Sequence, residues 1–229
     1  MLDACLDLLL GSCCAVCGLP GRILCDACST GLPCGGRVSW PTPCPPGLAL
    51  PVSAGEYDGA LKVLVNAHKE RQQFALARPL GTVLAHAVQV LLDQPGAVPS
   101  GPWILVPVPS RGRVVRARGH DPMLRMSRQA AGVLRRWGHQ VAVARLLFPV
   151  AGARDQSGLH ADERAANLAG SMAAGSGRSR RLRRECPEAR IVITDDVLTT
   201  GSTVREAQRA LESVGLEVAG VATVAATRK

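Results

Sequence analysis

Residues 191–203 run Ile-Val-Ile-Thr-Asp-Asp-Val-Leu-Thr-Thr-Gly-Ser-Thr, and no other stretch of the chain restricts the fold as much. The β-branched residues Ile191, Val192 and Ile193 read as a strand buried on both faces, the pattern of a parallel sheet. That reading places Asp195 and Asp196 at the strand's carboxyl end, where open α/β sheets hold ligands. Thr199, Thr200, Ser202 and Thr203 then supply hydroxyl donors around Gly201, which lets the backbone approach a ligand closely. A helix starting near Ser202 adds unpaired N–H groups and the positive end of its dipole, so the loop is predicted to bind a phosphate. Carboxylates repel that anion but accept hydrogen bonds from vicinal hydroxyls of an attached sugar and help retain a divalent cation. A capped βα turn alone would need neither two acids nor four hydroxyls. The expected ligand is a phosphorylated sugar.

The chain has 229 residues, 47% of them hydrophobic, enough for one α/β core with a small appendage. Strand-like runs at Val52–Gly55, Ile104–Val108, Val141–Leu147 and Val218–Ala225 alternate with helical patterns. The helices are expected over Asp58–His68, Phe74–Leu92, Pro122–Trp137, Leu159–Leu168 and Val204–Val214. This alternation implies a mainly parallel sheet flanked by helices.

Eight of the nine cysteines precede residue 45, which marks off an N-terminal unit. Cys14-x-x-Cys17 and Cys25-x-x-Cys28 are two knuckles whose four thiolates can close one tetrahedral zinc site. In so small a unit the metal would supply most of the folding free energy. Disulfides and a redox Cys-x-x-Cys are the alternatives, each weakened by a cytoplasmic reading or by the lack of a βαβ context. Cys5, Cys13, Cys34 and Cys44 are left without a role. Trp40-Pro-Thr-Pro-Cys-Pro-Pro-Gly47 reads as a linker, so residues 1–48 are expected to form the zinc unit with its linker and 49–229 the α/β domain.

The formal net charge of +9 comes mainly from arginine, clustered at 111–128 and 178–190. Both clusters suit polyanions, and the second also suits a solvated basic loop. No apolar run long enough to span a bilayer is read from the sequence, and Leu6–Leu10 is a poor signal peptide, so a cytoplasmic protein without membrane insertion is expected. His68, His120, His139 and His160 read as surface or loop residues.

Residues 191–203 resemble the PRPP-binding motif of type I phosphoribosyltransferases. By that resemblance Asp195 and Asp196 hold the ribose and Mg2+, and Thr199, Thr200, Gly201, Ser202 and Thr203 hold the 5′-phosphate. The strand end at Val106–Arg111 is similar to those enzymes' pyrophosphate loop, which implies substrate contacts from Pro109, Ser110 and Arg111. The block from Arg154 to Asn167 lies where they place a mobile loop, and Arg154 is expected to meet pyrophosphate. From about Leu8 onward the chain resembles the ComF proteins, with their zinc knuckle ahead of a phosphoribosyltransferase-like domain. That likeness rests on Cys14–Cys28, Tyr57-Asp58-Gly59 with His68-Lys69, Val106–Pro109, Arg118-Gly119-His120-Asp121, Arg154–Asn167 and Asp195–Thr203. It implies pentosyl transfer from PRPP, or binding of ribose 5-phosphate, linked to DNA uptake in competence or to nucleotide salvage. Single-stranded DNA or a competence helicase would be the partners. The alternative is a non-catalytic, nucleic-acid-associated regulator or a scaffold for the uptake machinery.

Overall fold

The computed structural model describes residues 12–94, 101–109, 121–150 and 170–228. In chain order the elements are α1 (Asp26–Thr30), β1 (Arg37–Val38), β2 (Pro51–Glu56), α2 (Gly59–Glu70), a 3-10 turn at Phe74–Leu76 and α3 (Ala77–Leu92). They continue with β3 (Trp103–Pro107), α4 (Pro122–Arg136), β4 (Val141–Val143), β5 (Leu147–Pro149) and β6 (Met172–Ala174). The last four are α5 (Ser176–Glu185), β7 (Arg190–Leu198), α6 (Ser202–Glu212) and β8 (Val218–Ala226).

Six strands form one sheet in the order β1-β2-β8-β7-β3-β4; all neighbours are parallel except the edge pair β1 and β2. The alternating pattern of the sequence is thus realised as the expected helix-flanked parallel sheet. Side chains alternate across each strand, so β7 feeds two cores. Val192 packs with α2, α3 and α4 on one face, and Ile191 and Ile193 pack with α6 on the other. With few large aromatics available, the core is assembled mainly from Leu, Val, Ile and Ala.

Four expectations are corrected. Val141–Leu147 is not one strand: β4 joins the main sheet, whereas β5 turns away and pairs antiparallel with β6. The arginine-rich segment is not a loop but the helix α5, which buries Ser179 and partly buries Leu182 while its arginines face outward. The proline-rich segment after Trp40 is docked: Arg205 Nε donates to Pro46 O at 2.9 Å and Gln208 Nε2 to Gly47 O at 2.9 Å, while Ala49 N donates to Gln208 Oε1 at 2.9 Å. His68 is not a surface residue, being buried in α2.

One helical stretch among the described residues, Phe74–Leu92, is long and apolar enough to cross a membrane by length and composition. Its apolar character has a plain cause within the fold, because α3 is buried at Leu80, Leu84, Ala85, Ala87 and Val88 against the sheet and α4. Helix α3 meets α4 at Gly81, where an added Cβ would lie 2.9 Å from Met126 O. Interiors packed this closely cannot absorb a methyl group without moving backbone. Gly81→Ala is therefore expected to cost ~1–3 kcal/mol, read as a lower midpoint in denaturant unfolding with an unchanged slope.

Candidate functional site

Strand β7 carries the site. Its ladder runs to Leu198, so Asp195 and Asp196 stand within the last turn of pleat, with Asp195 opposite Thr223 of β8. As consecutive strand residues they leave on opposite faces. Asp196 shares the face of Thr194, whose hydroxyl meets Ser127 Oγ of α4 at 2.8 Å. Both carboxylates are buried, at 8% and 6% relative exposure.

Burying two adjacent carboxylates is costly unless something compensates. Asp196 is compensated by Lys69, whose Nζ lies 2.8 Å from Oδ2. Burial disfavours the Lys69 ammonium, but the fields of Asp196 and Asp195 outweigh it and raise its pKa. Among the described residues, Asp195 accepts a hydrogen bond from the backbone N–H of Asp196 at 2.9 Å. Burial, then the neighbouring Asp196 charge, push its pKa up to about 7.

Lys69 is held in place from behind. Its neighbour His68 sets Nδ1 3.1 Å from Gln73 O and Nε2 3.4 Å from Pro122 O, pinning the end of α2 to the start of α4. Asp121 caps α4 there by accepting from Leu124 N at 3.1 Å, ahead of Pro122 at the first helical position. Between α2 and the 3-10 turn Gln72 has φ 55°, a conformation few non-glycine residues adopt. Sequence reading did not assign Lys69 to the site. A signal existed: only three of the 27 basic side chains are lysines, and a compact ammonium suits a point contact with one carboxylate.

After Leu198 the chain turns through Thr199, which is exposed, and Thr200, whose Oγ1 lies 3.0 Å from Ser202 Oγ and 3.4 Å from Ser202 N. Gly201 caps α6 with φ 75° and ψ −5°, the left-handed region that favours glycine, and contributes no capping side chain. The first turn of α6 carries the half-buried hydroxyl residues Ser202 and Thr203 beside its amide groups, the kinds of donor that anion binding uses. Gly201 is also covered: an added Cβ would lie 3.0 Å from Pro41 Cγ and 3.3 Å from Pro45 Cδ. Strand β3 runs beside β7 and continues through Val108, whose N–H donates to Thr194 O at 2.9 Å, so Pro109 emerges at the same edge of the sheet. Ser110, Arg111 and Arg154 lie outside the described residues, as do Leu159–Leu168, His120, His160 and Cys5.

Glu206 on α6 is a further member that the sequence did not reveal. It accepts from Met172 N at 3.0 Å and from Arg209 Nε at 2.7 Å, and Arg209 Nη2 reaches Met172 O at 3.0 Å. Burial works against its carboxylate, but Arg209 and the Met172 N–H hold the pKa below the usual range. This ties β6, and through it β5, to the helix that follows the Thr199–Gly201 loop.

A second cluster stands in the N-terminal segment. The Sγ atoms of Cys14, Cys17, Cys25 and Cys28 all lie within 4.8 Å of one another, and those of Cys17 and Cys25 are 3.7 Å apart. Tetrahedral coordination at a Zn–S distance of ~2.3 Å requires sulfur atoms ~3.8 Å apart, so the donor set fits such an ion. Burial opposes the Cys14 thiolate, but backbone hydrogen bonds at Cys25, Cys17 and Val16 lower its pKa to about 6. Its neighbours respond in the other direction: the Cys25 side chain and burial push Cys28 up to about 12. Four thiols at this spacing ionise together only around a cation. Cys13, Cys34, Cys44 and Cys186 are free thiols outside this cluster.

This sheet, with an acid pair near the end of one strand and a glycine-led helix after it, is of the phosphoribosyltransferase-like kind. In agreement, residues 146–229 match the family model of the phosphoribosyl transferase domain. The chain is also similar to Competence protein F of Haemophilus influenzae, 29% identical over 171 residues that cover 72% of this chain and 68% of that protein. The four-cysteine cluster stands ahead of the matched residues.

The raised pKa of Asp195 has a consequence with a definite sign. Between the unfolded value of 3.8 and the folded value of about 7 the folded state binds the extra proton, so stability falls as pH rises through that window and levels off above it. Asp195→Asn removes the ionisation with little change in volume. Thermal melts from pH 4 to pH 8 are expected to show a decline for the unmodified protein that is smaller in the variant.

Proposed function

We propose that the protein binds PRPP or ribose 5-phosphate at the end of β7 and, from PRPP alone, transfers the pentosyl group to an acceptor. The observation that carries this reading is the acid pair Asp195–Asp196 followed within one short loop by the glycine-led start of α6. In this reading the amides and hydroxyls of Thr199 to Thr203 receive the 5′-phosphate, and Asp195 and Asp196 accept hydrogen bonds from the ribose hydroxyls. In the transfer the bond between sugar C1 and a pyrophosphate oxygen breaks, its electrons leaving with pyrophosphate. The acceptor forms the new bond to C1 and releases its proton to solvent. Pro109, Ser110, Arg111 and Arg154 are assigned to the pyrophosphate. The acid pair would hold Mg2+, which would supply charge neutralisation for the leaving group. The ionised acid pair is the binding form, so affinity should rise with pH toward and through about 7.

We assign a structural Zn2+ to Cys14, Cys17, Cys25 and Cys28, and divide the labour of the chain at about residue 48, with the metal-held segment before it and the sugar-phosphate domain after it. The similarity to Competence protein F supports a role in competence, which in this reading is cytoplasmic and linked to DNA uptake. One observation favours a second reading, a regulator or scaffold that contacts single-stranded DNA: Arg178, Arg180, Arg181, Arg183 and Arg184 are all exposed on α5.

Calorimetry with PRPP and magnesium is expected to show binding that weakens by about tenfold or more in Asp195→Asn/Asp196→Asn, because hydrogen bonds to charged groups are lost. Absence of binding by the unmodified protein would overturn the sugar-phosphate reading. Pyrophosphate release over a panel of nucleobase acceptors identifies the enzyme, whereas binding without release identifies the ligand-sensing regulator.

Elemental analysis should find one zinc per chain, lost in Cys25→Ser. Full metal content in that variant would refute the ligand assignment.

A further inference from the structure

Residues 41–48 form a strap across the start of α6. Its two ends, Pro41 and Leu48, are buried, while most of the stretch between them is exposed. Upstream it is tied to the sheet, where Ser39 N donates to Pro51 O at 2.9 Å. Leu48 shares an apolar cluster with Val204, Ala207 and Leu211 of α6. Arg205 Nε donates to Pro46 O and Gln208 Nε2 to Gly47 O, both at 2.9 Å, and Ala49 N donates to Gln208 Oε1 at 2.9 Å. Pro41 Cγ and Pro45 Cδ come within 3.0 and 3.3 Å of the point where a side chain on Gly201 would begin. Positions 201, 204, 205 and 208 fall on one side of a helix, so the strap lies along the part of α6 that opens on the Thr199–Gly201 loop. Covering apolar surface there would need only Leu48. Hydrogen bonds to the carbonyls of an exposed stretch add modestly to stability, but they fix where the prolines lie.

We propose that the strap positions the anion site: held by Gln208 and Arg205, it fixes the backbone of Gly201 and with it the amides of the first turn of α6. The inference rests on the sugar-phosphate reading of that loop and adds to it the residues that keep the loop in shape. Gly201 has φ 75°, and a glycine leaves such a conformation for others at little steric cost. The rings of Pro41 and Pro45 stand in the way of that movement. Proline suits the task, since its fixed φ leaves the strap little freedom to lose on docking. A site whose donors are already in place spends less of its binding energy on ordering itself. Linkage makes the effect reciprocal: a strap that raises the affinity for an anion is held down to the same degree by the bound anion. Gln208 is the residue that separates this role from plain electrostatics. It is uncharged, 5% exposed and about two turns along α6 from the loop, so it acts on an anion through the strap.

The test titrates ribose 5-phosphate into the full-length protein by calorimetry, for the unmodified chain and three variants. Gln208→Met keeps the bulk of the side chain without its hydrogen bonds, and Pro45→Ala removes a ring over Gly201 without touching α6. Gly81→Ala is the comparator, because its packing defect lies in the core on the other face of the sheet. Gln208→Met and Pro45→Ala are expected to weaken binding about fivefold or more, and Gly81→Ala to leave it unchanged; Pro45→Ala decides alone if Gln208→Met does not fold. In the unmodified protein, saturating ribose 5-phosphate should slow hydrogen exchange at the Leu48 and Ala49 amides, which a strap with a merely structural role would not show. Unchanged affinity in the folded strap variants, an equal loss in Gly81→Ala, or no slowing overturns the proposal and leaves the sugar-phosphate reading standing. If ribose 5-phosphate does not bind the unmodified protein at all, that reading falls instead. Hydrogen exchange of residues 199–205 without ligand then decides the strap: faster exchange in the strap variants than in Gly81→Ala upholds it, and equal exchange refutes it.

Discussion

Keeping two adjacent carboxylates inside the protein at the end of one strand is the constraint that organises the structure around β7. Asp195 and Asp196 are both largely buried, and each is handled differently. Asp196 has Lys69, delivered by the carboxyl end of α2. Asp195 has one backbone N–H and otherwise relieves the strain by holding its proton up to about pH 7. The position of Lys69 depends in turn on His68, wedged between two backbone carbonyls of different elements, and on the capped start of α4. Helices α2 and α4 are therefore parts of the electrostatic support for the acids as well as cover for the sheet.

The N-terminal segment answers a different problem, that of a small unit with too little apolar surface to fold alone. The four cysteines draw a short turn and α1 around one point. Ala15, Val16, Ile23, Leu24 and Leu32 then lean on the main core rather than forming their own. The prolines that follow are laid over Gly201 and held by Arg205 and Gln208. Their stiffness is useful there, since a segment with few conformations to lose can be ordered at low entropic cost.

How much of this was legible in the sequence depends on whether the signal was local. The β7–loop–α6 unit is contiguous, so residue order alone gave its strand, acids, glycine and helix start. The two Cys-x-x-Cys pairs were likewise readable because spacing sets where their sulfurs point. What escaped was tertiary. Lys69 reaches Asp196 across more than 120 residues of chain, and no local pattern marks that meeting. Glu206 sits in an amphipathic helix as an ordinary polar residue until Met172 and Arg209 close around it. Helix α5 was missed because glycine, serine and arginine hide a helix whose inner face is only Ser179 and Leu182. The docked prolines defeat composition entirely, since a linker and a clasp can share the same residues.

The strand order also governs when the site comes into being. Strand β8, the last in chain order, lies between β2 and β7 near the centre of the sheet, and Thr223 on it backs Asp195 while its hydroxyl meets Ser53 of β2 at 2.6 Å. As the chain leaves the ribosome, β1 with β2 and β3 with β4 and β7 can gather only as two separate halves. The acid pair can be complete, but the face that holds it closed is made last. Closure of the sheet around the acid pair therefore waits for β8, and until that strand is made β2 and β7 each present an open edge that invites aggregation.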